Sequence, residues 1–124
     1  MNKNSMYAFY GSLRKGMQLH KKFESDLQYK FSIWLPGYKL YSLGPYPCAV
    51  QTQNIHNKIL VEVMQIRNPD VAQQIFDIEI NAGYFYKDIQ IKNENVGIYL
   101  YKQPTNNSEV IGGDWVTFFG EQRK

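Results

Sequence analysis

In Tyr10-Gly11-Ser12-Leu13 a glycine turn follows directly on the apolar run Met6-Tyr7-Ala8-Phe9. A strand that runs into such a turn can aim several backbone N–H groups at one point, where they bind a carboxylate or a developing oxyanion. Arg14-Lys15-Gly16 and His20 continue the polar turn and bring positive charge to where an anion would sit. Ser12 invites a nucleophile assignment, but the nucleophile elbow needs Gly-x-Ser-x-Gly, and here the glycine is adjacent. Cys48, between Pro47 and Ala49, has no evident His partner and reads as a small buried hydrophobe. His20 reads as a surface or loop-bonding residue outside the catalytic set, and Arg14 and Lys15 as a solvated face.

Glu79 is the other candidate. It lies near the end of an expected helix, one position past Ile78 and just ahead of Asn81-Ala82-Gly83. A carboxyl there faces the negative end of the helix dipole and partly apolar surroundings. Both favour the protonated form and suit a general acid/base. On the residues alone, Asp77 and Glu79 as ordinary solvated acids at a helix end is the simpler reading.

Alternation and turn composition supply the elements that must position these groups. Strands are expected over residues 6–10, 28–35, 38–43, 59–66, 86–91 and 96–101, the last two as a hairpin across Lys92-Asn93-Glu94-Asn95. A short helix is expected over residues 18–23. Asn68-Pro69-Asp70 is a helix start, with Asn as N-cap, Pro at the first helical position and an acid in the first turn. Val71, Gln74-Ile75 and Ile78 then recur at helical spacing. Pro36, Pro45 and Pro47 mark a rigid, loop-rich region, and Gly112-Gly113-Asp114-Trp115 reads as a turn before a short polar tail. The layout is α+β in one domain over residues 1–124, a small closed or nearly closed barrel with the helix packed on it.

Tyr10-Gly11-Ser12-Leu13 with Arg14-Lys15-Gly16 and His20 resembles the opening motif of the gamma-glutamylcyclotransferase-like family, which carries Tyr-Gly-Ser/Thr-Leu, a basic stretch and a nearby His. Three further blocks follow in order. Residues 37–44 with Tyr46-Pro47 and Ala49-Val50 resemble the family's glycine-loop and Tyr-Pro block. The helix end resembles its Leu-Asp-x-x-Glu segment, and Gly113-Asp114-Trp115 resembles a Gly-Asp-Trp near the end of several bacterial members. Departures are Phe76 in place of Asp, Val61 in place of the Gly before Glu62, and Phe85-Tyr86-Lys87 in place of Tyr-x-Arg. Lys lacks the bidentate fork of Arg.

The resemblance implies a small mixed-sheet β-barrel with flanking helices and a cofactor-independent, metal-free enzyme of the gamma-glutamylamine cyclotransferase type. Its substrate would be a small gamma-glutamyl compound that releases an amine or amino acid as 5-oxoproline forms. Glu79 would be the general acid/base, and Tyr10, Gly11, Ser12 and Leu13 the substrate cradle. Tyr10, Tyr41, Tyr46 and Phe85 would serve as aromatic walls that exclude water. A binding protein for the same ligands, without turnover, is the alternative on the same fold.

Composition narrows the field further. Of 124 residues 44% are apolar, and the net charge is only +3, with basic residues in scattered pairs. Phosphate tracking needs them gathered on one face, so no nucleic-acid partner is expected. Ten Tyr, seven Phe and two Trp fit half-buried strands. No stretch approaches the roughly 20 apolar residues of a membrane span and the polar start has no signal-peptide core, so no membrane association and a cytoplasmic address are expected. One cysteine and two histidines show no zinc-ligand spacing. Oligomeric state is left open.

Overall fold

The central strand β1, Met6–Phe9, is buried along its whole length, as its continuous apolar run requires of a strand covered on both faces. The computed structural model describes residues 5–102 and 108–122. In chain order the elements after β1 are α1 (Gln18–Phe23), a single 3₁₀ turn (Glu24–Asp26), β2 (Gln28–Pro36), β3 (Tyr38–Ser42), β4 (Pro47–Gln51) and β5 (Lys58–Gln65). Then come α2 (Pro69–Asn81), β6 (Phe85–Ile91), β7 (Glu94–Leu100) and α3 (Trp115–Gln122).

Five strands form one mixed sheet in the order β2-β5-β1-β7-β6, and β3 and β4 form a separate antiparallel pair. β1 runs antiparallel to β5 and parallel to β7, with Tyr7 opposite Gly97. The expected barrel is therefore corrected. Among the described residues β2 and β6 are the two edges of an open sheet, and the β3–β4 hairpin joins it only through single bridges such as Val50 to Tyr101. A hairpin that lies across one face buries that face without closing the sheet on itself.

The period of two along β1 sorts its side chains between two cores. Met6, Ala8 and Tyr10 point to the side covered by the hairpin and α3, where they meet Leu40, Ala49, Val61, Ile98 and Trp115. Tyr7 and Phe9 point to the side covered by α1 and α2, with Phe23, Met64, Ile75 and Tyr99. α2 begins as its sequence predicts: the Asn68 side chain accepts a hydrogen bond from the Asp70 N–H, and Pro69 occupies the first turn. The β6–β7 turn tightens to Lys92 and Asn93, both at positive φ. That is the two-residue hairpin form whose twist matches the flanking strands.

Two further expectations are corrected. β4 starts at Pro47, inside the region read as loop, because a proline at the first position of a strand removes no needed ladder bond. The expected polar tail is the helix α3. Asp114 caps it by accepting from Thr117 at both its backbone N–H and its hydroxyl, while Trp115, Phe118 and Phe119 stack into the core. Gly113 makes this junction possible: its φ is +70°, and a Cβ there would sit 2.2 Å from the Lys58 carbonyl oxygen. Gly113→Ala is expected to cost about 2–3 kcal/mol, from strain and steric overlap against backbone. Urea unfolding of the variant beside wild type measures it.

Among the described residues no helix is long and apolar enough to cross a membrane. Nor does any group of three or more His, Cys, Asp or Glu side chains among them gather as a metal site would require.

Candidate active site

β1 delivers residues 10–13 to its own C-terminal end, and the loop they form is held rigidly from behind. The Gly11 carbonyl accepts from the Arg14 N–H at 2.9 Å, and the Ser12 carbonyl accepts from the His20 N–H at 2.9 Å. Nδ1 of the buried His20 lies 2.9 Å from the Leu13 carbonyl oxygen. A carbonyl only accepts, so Nδ1 carries the proton. All three carbonyls are thus engaged within the loop and α1, whereas the N–H groups of Gly11, Ser12 and Leu13 donate to no other described residue.

Gly11 also meets β4 closely. A Cβ at that position would lie 2.7 Å from Cδ of Pro47, so only glycine lets the loop and the Tyr46-Pro47 segment close on each other. Tyr10 locks the same junction: its hydroxyl donates to the Tyr99 carbonyl and accepts from the Ala49 N–H. From the end of α2, the Tyr84 hydroxyl donates to the Pro47 carbonyl.

These contacts frame a cavity of about 190 Å³ between the loop, the start of β4 and the last turn of α2. Tyr10, Gly11, Ser12 and Leu13 line it, and so does Glu79. The structure therefore brings the two halves of the sequence-predicted site into one pocket, although more than sixty positions separate them. Burial pushes the Glu79 carboxyl up to about 7 from its ordinary 4.5. Apolar neighbours disfavour the charged form. Tyr10, Tyr84 and Tyr99 are all raised, chiefly by burial and further by the Glu79 charge. The Tyr99 hydroxyl is buried and has no hydrogen-bond partner among the described residues.

Of the expected aromatic walls, Tyr10 and Tyr46 line the cavity and Tyr41 and Phe85 do not. Phe85 packs against the opposite core, on the hairpin side of the sheet, while its neighbour Tyr84 faces the pocket. Leu19, Ile78, Ala82 and Tyr99 were not expected there. Period-two alternation along β7, anchored by one wall residue, is the signal for Tyr99. Cys48 is buried, lies outside the lining, and burial raises its thiol to about 11.

The solvated reading of Arg14 is overturned. Arg14 is 6% exposed, with Nε 3.0 Å from Glu62 and Nη1 2.8 Å from Asp114. Glu62 in turn accepts from the Lys15 N–H at 2.7 Å. The charge expected to meet an anion is instead a buried tie that fastens the loop to β5 and to the start of α3. Lys15 itself lies over the Tyr29 ring, 3.9 Å from its centre.

The chain is similar to known proteins over most of its length. The family profile described as "Gamma-glutamyl cyclotransferase, AIG2-like" matches residues 7–117. YtfP of Escherichia coli K12, named a gamma-glutamylcyclotransferase family protein, is 33% identical over 111 residues, which cover 86% of this chain and 92% of YtfP. The crystal structure of the uncharacterized protein PH0828 from Pyrococcus horikoshii superposes with a TM-score of 0.79 at 26% identity, over 95% of each chain. The solution structure of E. coli YtfP gives 0.70 at 27% identity, over 92% of this chain and 98% of YtfP.

Proposed function

From a chain that belongs to the gamma-glutamyl cyclotransferase, AIG2-like family, we infer an enzyme that cyclises a gamma-glutamyl compound to 5-oxoproline and releases its amine. The observation that carries this reading is the shared cavity: one carboxyl raised to about 7 lines it together with a loop whose N–H groups donate to no other described residue.

The substrate supplies its own nucleophile. Its α-amine nitrogen attacks the γ-carbonyl carbon, the new C–N bond closes the lactam, and the bond to the leaving nitrogen breaks. Glu79, ionised, takes a proton from the α-nitrogen and returns one to the departing amine. Protons lost by the attacking nitrogen end on the leaving one, and no water is consumed. The N–H groups of residues 11–13 hold the α-carboxylate or the oxyanion. Apolar walls at Phe9, Leu13 and Tyr99 keep water from competing. Folding the substrate back on itself provides an effective molarity on the order of 10⁵ M or more.

The test is incubation of the purified protein with gamma-glutamyl amides, with 5-oxoproline as the readout. Because Glu79 must be ionised to begin, kcat/KM is expected to climb about ten-fold per pH unit on the acid side and to level above about 7. A flat profile across that range would remove Glu79 as the base. The alternative, a binding protein without turnover, draws on Lys87, which stands where the family has Arg and whose Nζ donates to Gln51 outside the cavity lining. It predicts heat protection by the same amides with no 5-oxoproline.

A further inference from the structure

Ile55 and Ile111 are the most exposed large apolar side chains among the described residues, at 74% and 85%. Each stands in a tight turn, the first between β4 and β5 and the second ahead of α3. Backbone hydrogen bonds pin both turns. The Asn57 N–H donates to the Asn54 carbonyl and the Gly113 N–H to the Val110 carbonyl, while the Leu60 N–H donates to Gly113. Ordered backbone therefore holds both isoleucines out of the core. The two turns wall one recess of about 210 Å³, through His56 and Asn57 on one side and Val110 and Gly112 on the other. Lys39, Lys58 and Glu109 line it as well, and it shares no lining residue with the candidate active site. Lys39 is paired with Glu109 at 3.5 Å. Lys58 pairs with no carboxylate among the described residues, and its Nζ lies 5.6 Å from the centre of the half-exposed Trp34 ring.

We propose that this end of the molecule docks on an anionic lipid surface, with Ile55, Ile111 and Trp34 in the interface and a lipid phosphate beside Lys58 in the recess. The expectation of no membrane association rested on the want of an apolar span, and docking through turns needs none. Three observations carry the assignment. The apolar groups stand proud of the surface and the recess between them is polar, the reverse of a groove that grips a peptide. A bilayer yields to any convex apolar shape, and tryptophan favours the headgroup level. Glu109 balances Lys39, so the recess keeps the charge of Lys58, which suits a phosphate. A second copy of this chain fits less well, because a two-fold contact would bring two such cationic ends together.

The full chain is sedimented with vesicles of phosphatidylcholine alone and of phosphatidylcholine mixed with phosphatidylserine. Binding to the mixed vesicles is expected to exceed binding to the neutral ones about five-fold, the worth of one lysine near an anionic surface, and to fall as salt rises. Ile55→Asn and Ile111→Asn are each expected to weaken binding about ten-fold, with urea unfolding unchanged, and Ile111→Leu to bind as wild type does. Lys58→Gln is expected to remove the preference for phosphatidylserine. No vesicle binding by wild type, binding that survives both asparagine substitutions, or equal binding to the two compositions overturns the proposal. Self-association that the isoleucine variants abolish would assign the face to a second copy, and heat protection by inorganic phosphate without vesicle binding would assign the recess to a soluble anion. Either result overturns the lipid assignment.

Discussion

Glu79→Gln is expected to abolish 5-oxoproline formation, with kcat lowered about 10²- to 10⁴-fold, and at the same time to make the protein more stable above pH 7. The two effects share one cause. Folding raises the Glu79 carboxyl from 4.5 to about 7 by desolvation. Between those values the native state keeps a proton that the unfolded chain has released, so native stability falls as pH rises through that window. Below 4.5 both states are protonated and the penalty vanishes. Above 7 it is fully present, at most about 3 kcal/mol by the linkage between pKa and free energy. Glutamine has nearly the same shape and no charge, so it escapes the penalty. Unfolding curves of wild type and variant should therefore converge near pH 4 and separate by about 1–3 kcal/mol at pH 8, with the inactive protein the more stable. A Glu79 that merely held the helix end would give the reverse, a variant less stable at every pH.

That cavity was legible in the sequence only in its two ends. Residues 10–13 announce themselves because a glycine turn after an apolar strand is a local pattern, and α2 does so through its Asn-Pro-Asp start. Glu79 could be placed on a helix end from spacing, but its burial depends on what the sheet lays against it, and no local rule carries that. The same holds for the walls. Tyr84 and Phe85 are adjacent and equally aromatic, and only strand register decides that one faces the pocket and the other the opposite core. The barrel expectation failed for a related reason: strand count and alternation fix faces, whereas closure depends on whether the outer strands pair. α3 was missed because it is short and lies between the Gly112-Gly113 turn and a charged chain end, although Asp114 and Thr117 already spell a cap.

Arg14→Met is expected to destabilise the protein by about 3–5 kcal/mol, because it leaves the buried Glu62 carboxylate without its cation. A buried ion pair adds little net stability over an apolar replacement, but removal of one partner strands the other. Asp114 loses a partner too. Burial works to raise its carboxyl, and the hydrogen bond and charge of Arg14 together with the hydrogen bonds of Thr117 outweigh that and hold it below 3.8. A lowered carboxyl contributes stability above its unfolded value that is lost as pH falls through the folded one, so part of the wild-type acid sensitivity is expected to disappear with Arg14. Removing the stranded charge should restore what its partner's loss cost: Arg14→Met with Glu62→Gln is expected to be more stable than Arg14→Met alone. The coupling energy in a double-mutant cycle should be about 1–3 kcal/mol. Simple additivity of the two substitutions would show that the ion pair is not the tie. Arg14→Lys keeps the charge but cannot span Glu62 and Asp114 with a planar fork. It is therefore expected to lie between wild type and Arg14→Met in stability and to lose turnover chiefly through a raised KM, as the N–H groups of residues 11–13 lose their fixed aim.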